Sequence, residues 1–314
     1  MPQPLKPRAL RSGDAVCIVS LASPVEECLL TSGRAEVERL GFVVNMDVAT
    51  VLARDGYFAG SAPSRMAALK AALAEPGVRG VFCSRGGYGS NYLLEHLSVA
   101  LSSPKILLGH SDITSLQICF WQKFRWVTLH GPMVASGLAR GAGAANGYDR
   151  PSLLHALSDT QKGWSVDLQG ETLVPGSAAG VLLGGCLTLL QTTLGTPWEL
   201  ETQGAILILE DRGMKPYQVD RALMHLKQAG KLKSVAGIIL GEFPECEAPA
   251  NGETVKVVAQ RILGSLGVPV VWGAALGHTA RPMLTLPLGV RAHLSVSGGA
   301  AGTHLEILEP ACVA

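Results

Sequence analysis

The sequence predicts an α/β protein in two parts: an N-terminal open, doubly wound parallel-sheet domain, and a smaller C-terminal α/β domain with some antiparallel strands. Three observations predict it. Through the first half, short apolar runs stop at glycine- or serine-bearing turns and alternate with helical patterns, as in successive βαβ units. The composition is 47% hydrophobic and only 16% charged, with 37 glycines, which suits strands covered on both faces. The length of 314 residues exceeds one average domain and is comfortable for two.

Charge and cysteine usage narrow the partners. Lysines and arginines number 26 against 25 acids, so a net charge of +1 supplies no field to gather nucleic acid or an anionic membrane. A small molecule is the expected partner. Seven cysteines (Cys17, Cys28, Cys83, Cys119, Cys186, Cys246, Cys312) are scattered and never spaced as C-x-x-C. That argues against a zinc site or a disulfide framework, and most are expected to be small buried hydrophobes in a reducing compartment. The start, Met1 to Arg8, is basic, but the apolar run behind it lasts only from Ala15 to Ala22. This is a strand rather than a signal segment, and no stretch approaches the length of a membrane span. A cytoplasmic protein is expected.

Taken in order, Ala15 to Leu21 reads as a buried parallel strand ended by Ala22-Ser23-Pro24. Arg34 to Leu40 reads as a helix stopped by Gly41, and Phe42 to Val44 as the second strand. Ser64 to Glu75 places Met66, Leu69 and Leu73 on one helical face. Arg79 to Ser84 is the third strand, running directly into Arg85-Gly86-Gly87-Tyr88-Gly89-Ser90 and then a helix bearing Leu93, Leu94 and Leu97. Glycines at the carboxyl end of a parallel strand let backbone N–H groups approach a ligand, although a plain tight turn uses them equally well. The loop matches no nucleotide fingerprint.

The fourth strand, Lys105 to Gly109, stops abruptly at His110-Ser111-Asp112, and a helix from Thr114 to Gln122 follows. Such a strand-to-helix turn can deliver a nucleophile, with the next backbone N–H aimed at an oxyanion. Only half of G-x-S-x-G is present, since Ile113 stands where the second glycine would be, and Ser111 and Asp112 also read as helix caps. Arg125 to His130 makes the fifth strand, closed by Gly131-Pro132-Met133. From Ser136 to about Gly176 the pattern loosens, with Ser152 to Leu157 its one helical piece. The expected domains are therefore residues 1–162 and 177–314, joined by a linker over 163–176.

In the second half, Ala178 to Gly185 is followed by a helix from Leu187 to Leu194, and Ala205 to Leu209 is an apolar strand ending at two adjacent acids, Glu210 and Asp211. A helix carries Val219, Leu223 and Leu226. Val235 to Leu240 and Pro269 to Trp272 are strands around a helix from Thr254 to Leu263, and Leu284 to Val296 and His304 to Leu308 read as antiparallel strands.

Serine nucleophiles need a base within hydrogen-bond reach and a third group to orient that base. Of eight histidines, His110 adjoins Ser111 but should point away from it, and His96, His155, His225, His293 and His304 fall within helices or strands. His130, at a strand end, could line the crevice, and His278 lies in a loop after Gly277. Glu210 or Asp211 is the natural orienter, and the residues alone leave that choice open.

Gly13-Asp14, Ser23-Pro24, Gly56-Tyr57-Phe58-Ala59-Gly60, Arg85-Gly86-Gly87-Tyr88-Gly89, Gly109-His110-Ser111-Asp112-Ile113-Thr114, His130-Gly131-Pro132-Met133, Gly184-Gly185, Leu209-Glu210-Asp211, Pro216-Tyr217-x-x-Asp220-Arg221 and Gly277-His278 fall in one order along almost the whole chain. Together they resemble the LD-carboxypeptidase family of serine peptidases, which also contains the microcin C immunity peptidases. The resemblance implies Ser111 as nucleophile, His278 as general base and then acid, and Glu210 as the partner holding its tautomer. It implies an oxyanion hole from the backbone N–H of Asp112 and of Gly86 or Gly87. Arg85, Tyr88 and His130 are the candidate substrate-binding side chains.

No cofactor or metal is implied. The implied substrate is a small peptide, murein tetrapeptide, with D-alanine as leaving group in peptidoglycan recycling. The alternatives are a peptidyl-nucleotide substrate, for which no additional aromatic loop stands out, and a non-catalytic peptide-binding protein. A homodimer is one option for the assembly, which the sequence does not set. Two departures from the family pattern bear on substrate placement: His110 where an aromatic residue is usual, and Cys186 where an asparagine is usual.

Overall fold

Apolar runs bounded by turn residues become strands throughout. In a computed structural model, which describes residues 3–97, 103–161, 163–248, 250, 252–298 and 302–314, they are β1 (Ala15–Val19), β2 (Val43–Asn45), β3 (Val78–Cys83), β4 (Ile106–Gly109), β5 (Thr128–His130), β6 (Trp164–Asp167), β7 (Glu171–Val174), β8 (Gly176–Cys186), β9 (Ala205–Glu210), β10 (Gly237–Leu240), β11 (Val270–Trp272), β12 (Leu286–Leu288), β13 (Arg291–Val296) and β14 (Thr303–Ile307).

Two sheets result. The first has the order β12-β5-β4-β3-β1-β2, with β1 to β5 all parallel. The second has the order β6-β14-β13-β8-β9-β10-β11-β7, with a parallel centre from β8 to β11 and antiparallel strands on both flanks. The strand order of the first sheet reverses at β1, so the loops after β1 and β3 flank a switch-point crevice at the carboxyl ends of the strands. Those are the loops at Ser20 to Pro24 and Ser84 to Gly89. They are tied together by Ser20 Oγ to Ser84 Oγ at 2.7 Å and by the Tyr88 N–H donating to Ser23 Oγ at 3.1 Å.

Helices cover the sheets where the sequence period requires. Ala62–Ala74 opens with Ser61 Oγ accepting the Ser64 N–H and a proline in its first turn, and it buries Met66, Leu69 and Leu73. Thr114–Phe124 is buried from Thr114 to Trp121 because it lies between the first sheet and β8. Fully burying each such leucine or isoleucine is worth roughly 1.5–3 kcal/mol. The segment carrying Leu93 and Leu94 is a 3-10 run, Ser90–His96, rather than an α-helix.

The segment 163–176, expected as a linker, instead carries β6 and β7, which close opposite ends of the second sheet. Both are four-residue edge strands with mixed exposure, so they show no sustained apolar run or clean alternation. The stretch from Leu284 also departs from expectation. Leu286–Leu288 leaves the C-terminal half and pairs antiparallel with β5, Leu286 opposite His130. Pro287 is compatible with this because β12 is the edge strand of its sheet. Five of the seven cysteines are buried and all seven are free thiols. Among the described residues, no helix is long and apolar enough to cross a membrane.

Candidate active site

β4 ends at Gly109, His110 stays extended, and Ser111 turns into the left-handed region at φ +60° before the 3-10 turn Ser111–Ile113 and the helix Thr114–Phe124. A non-glycine residue there stores roughly 1–2 kcal/mol of backbone strain, which the surrounding structure must hold. The missing second glycine has a packing explanation. Ile113 lies against the bare face of Gly109, where a Cβ would stand 3.1 Å from Ile113 Cγ2. One glycine in the turn therefore does the steric work expected of two.

The Gly86 loop passes directly over this turn. A Cβ on Gly86 would sit 2.7 Å from both Cβ and Oγ of Ser111 and 3.3 Å from the Asp112 nitrogen, so only glycine fits. Asp112 holds the turn through its other groups: Oδ2 accepts the Ser90 N–H at 2.7 Å, and its carbonyl accepts the Ser90 hydroxyl at 2.5 Å. Burial outweighs these donors and raises the Asp112 carboxyl above its ordinary range. The Asp112 amide belongs to the first turn of a helical run, where N–H groups have no partner within the helix. Amide and glycine loop thus flank the space beside Ser111 Oγ.

Glu210 is the last residue of β9 and is completely buried. Its Oε2 accepts two hydrogen bonds from one residue, the His278 backbone N–H at 3.0 Å and Nδ1–H at 2.7 Å. Contact this close needs Gly277, at φ +56°, because a Cβ there would fall 2.2 Å from Glu210 Cδ. With Nδ1 as donor, the tautomer leaves Nε2 of His278 free to accept a proton. Burial opposes the charged ring, but the Glu210 carboxylate outweighs it and raises the His278 pKa above 6.5. Burial likewise disfavours the Glu210 carboxylate, and His278 reverses that, so Glu210 titrates below its ordinary range. Asp211 is turned elsewhere: Oδ2 accepts the Thr188 N–H and hydroxyl at 2.8 and 2.7 Å, and Oδ1 accepts the Arg212 N–H. Geometry thereby separates two acids that sequence left equivalent.

Ser111 and His278 line one crevice of about 540 Å³, together with Arg85, Gly86, Gly87, His110, Ser136, Cys186, Asp211 and Arg212. No hydrogen bond joins the serine and histidine here, and catalytic contacts of this kind tighten when substrate binds. Arg85 lines the crevice and donates from Nη1 to the Pro24 carbonyl. Tyr88 does not line it. The residue is 45% exposed, and its ring packs with Tyr57, Phe58 and Tyr92 in an aromatic cluster assembled from two distant segments.

His130, expected as a substrate-binding residue, has no exposed surface, and neither ring nitrogen has a partner. The His110 ring packs edge-on against it, with centroids 6.0 Å apart, and β12 pairs alongside the strand that His130 ends. Sequence reasoning undervalued His110. Its ring meets the His278 ring edge-on, with centroids 5.3 Å apart at 75°, and its Nδ1–H donates to the Gly131 carbonyl at 2.9 Å. Burial, followed by repulsion from His278, pushes its pKa down to about 3, so it stays neutral. An uncharged ring against His278 fills the place where an aromatic residue is usual.

A strained serine at a strand-to-helix turn, a histidine whose carboxylate partner stabilises its charged form, and amides beside the serine oxygen have the layout of a serine hydrolase. Residues 16–131 match the LD-carboxypeptidase N-terminal domain and residues 179–294 the LD-carboxypeptidase C-terminal domain. The chain belongs to the LD-carboxypeptidase family. It is 34% identical to a probable murein peptide carboxypeptidase of Bacillus subtilis, over 98% of this chain and 96% of that protein. It is 28% identical to the murein tetrapeptide carboxypeptidase of Pseudomonas aeruginosa, over 85% of this chain and 88% of that one. The crystal structure of muramoyltetrapeptide carboxypeptidase from Oxalobacter formigenes superimposes with a TM-score of 0.83 at 29% identity, covering 94% of this chain and 99% of that one.

Proposed function

We propose that this chain is a cytoplasmic serine carboxypeptidase that hydrolyses the amide between an L-centre and a C-terminal D-residue, releasing D-alanine from murein tetrapeptide during peptidoglycan recycling. The observation that carries this reading is the buried Glu210–His278 pair opening onto the crevice that holds Ser111 in its strained turn. Its murein substrate is taken from the B. subtilis and P. aeruginosa relatives.

In this mechanism His278 Nε2 accepts the Ser111 hydroxyl proton as Oγ attacks the scissile carbonyl. The tetrahedral oxyanion faces the Asp112 amide and the Gly86-Gly87 loop. Glu210 stabilises the imidazolium and fixes its tautomer. The imidazolium then passes its proton to the departing nitrogen, which leaves as the amine of the D-amino acid. Water, deprotonated by the same ring, hydrolyses the acyl-enzyme and returns Ser111 and the shortened peptide.

The test is release of D-alanine from murein tetrapeptide by the parent and by Ser111→Ala, beside a peptide ending in L-alanine and a peptidyl-adenylate analogue. The parent should cleave the D-terminated peptide in preference to both comparators, and Ser111→Ala should lose at least two to three orders of magnitude in rate. A Ser111→Ala protein working at the parental rate would end the mechanism. Preference for the adenylate analogue would replace the substrate.

A further inference from the structure

We propose that Arg212 is the residue that binds the free α-carboxylate of the substrate's C-terminal amino acid, with Glu245 occupying its place until substrate arrives. This rests on the carboxypeptidase reading above and names the group that makes the enzyme specific for chain ends.

A carboxypeptidase has to bury or pair a carboxylate that an internal peptide lacks, and the bond it cuts fixes where that carboxylate lies. The leaving nitrogen takes its proton from His278. The carboxylate carbon is two bonds beyond that nitrogen, about 2.5 Å away through one tetrahedral centre. The anchoring cation therefore stands within reach of the leaving nitrogen, beside His278. Two arginines line the crevice, Arg85 and Arg212. Arg85 immediately precedes Gly86, whose bare face abuts Ser111 and Asp112, so it belongs to the oxyanion side. Arg212 follows Asp211 at the end of the strand that carries Glu210. It also borders a smaller lobe of about 150 Å³, whose walls include His110, Ser136, Gly277 and His278.

Arg212 borders both cavities with His278, whereas Arg85 borders only the larger one; the Arg212 charge disfavours the charged His278 ring, after the larger effects of burial, Glu210 and Asp211. An arginine offers paired N–H donors that match a carboxylate in a planar fork. In this structure the Arg212 guanidinium already holds a carboxylate, that of Glu245, which also borders the smaller lobe. Both side chains are more than half exposed, at 53% and 61%, so the pair is cheap to exchange.

The experiment measures kcat and KM for a tetrapeptide with a free C-terminal carboxylate and for the same peptide ending in a carboxamide. Parent, Arg212→Gln, Arg85→Gln and Glu245→Gln proteins are compared. The parent should favour the free acid. Arg212→Gln should raise KM for the acid about 10- to 100-fold, the usual range for a lost charge-assisted hydrogen bond, while changing kcat/KM for the amide less than about threefold. Glu245→Gln should lower KM for the acid, because the internal competitor is gone. If Arg212→Gln leaves the acid-to-amide ratio unaltered, or Arg85→Gln abolishes it instead, Arg212 is not the anchor. A parent that cleaves neither peptide removes the functional reading and this assignment with it. A parent that cleaves them with a ratio indifferent to Arg212 removes this assignment alone.

Discussion

Replacing Glu210 with glutamine keeps the shape of a side chain that has no exposed surface and removes its charge. In the parent, Oε2 receives the Nδ1–H of His278 at 2.7 Å and its backbone N–H at 3.0 Å. Glutamine retains one acceptor oxygen but not the attraction for an imidazolium. Burial, which disfavours the charged ring, stays. The His278 pKa, raised above 6.5 in the parent, should therefore fall below 6.5 in Glu210→Gln. In the proposed mechanism neutral His278 is the active base, so the parent's kcat/KM should rise with pH through an apparent pKa above 6.5, and the variant's through a lower one.

The plateau should also fall. Loss of the orienting acid in serine hydrolases costs about 10⁴ in kcat, or roughly 5.5 kcal/mol of transition-state stabilisation. Stability carries a matching signature. The raised His278 pKa contributes below its unfolded value near 6.5 and is lost as pH rises through the folded pKa. The depressed Glu210 pKa contributes above its unfolded value near 4.5 and is lost as pH falls. The variant's deficit in urea unfolding should therefore be greatest between about pH 4.5 and 6.5. A pH–rate profile whose plateau lies within tenfold of the parent, with an unmoved acid limb, would refute the pairing as the source of activity.

Ser111→Gly should abolish turnover while the thermal midpoint holds or rises, because glycine relieves about 1 kcal/mol of left-handed strain at φ +60°; calorimetry showing a fall of many degrees would contradict the strained turn. Gly277→Ala drives a Cβ to 2.2 Å from Glu210 Cδ. It should cost about 2–4 kcal/mol in urea titrations, from overpacking and positive φ together, and should lower kcat in parallel with Glu210→Gln. His110→Phe tests the buried ring whose pKa is pushed down to about 3. The folded parent binds fewer protons there than the unfolded chain, so it loses stability as pH falls below 6.5, and the variant does not. The variant should gain about 2–3 kcal/mol on the parent between pH 7.5 and 4.5, and an equal stability difference at both pH values would exclude His110 as a source of the acid sensitivity.

What could be read beforehand follows the range of the interactions involved. The five parallel strands and the placing of Ser111 and Gly86 at strand ends depend on apolar runs and turn residues only a few positions apart; the structure keeps the first four strands within a residue or two and starts the fifth three residues late, at Thr128. Glu210 was legible as one of two acids, but not as the one, because the choice turns on Thr188, 22 or 23 residues upstream, claiming Asp211. On the residues alone His278 was one of two candidate histidines, and only the family resemblance chose it, since its partner lies 68 residues away. His130 was misjudged for the same reason. The strand that pairs beside it is β12, more than 150 residues later, and a three-residue strand containing proline gives no periodic signal.

Ser111 follows a strand of one sheet and Glu210 ends a strand of the other, so two independently moving domains would make activity depend on the angle between the halves. The structure replaces that hinge with short-range contacts at both ends of the site. Directly after the nucleophile turn, Thr114 Oγ1 accepts the Cys186 N–H at 3.1 Å, and a Cβ on Gly185 would fall 2.6 Å from the same oxygen. On the opposite wall, the His278 loop is held to the first half by the Asn146 N–H donating to the Ala280 carbonyl and the Met283 N–H to the Gly147 carbonyl, before β12 joins β5. A change in the angle between the sheets would have to break these backbone bonds and the β5–β12 ladder together. Adjustment of His278 toward Ser111 on substrate binding is therefore confined to side-chain rotation and small loop shifts within a fixed frame. In that frame Gly86 and Gly277, which admit no Cβ, set how closely the Gly86 loop approaches Ser111 and the His278 loop approaches Glu210.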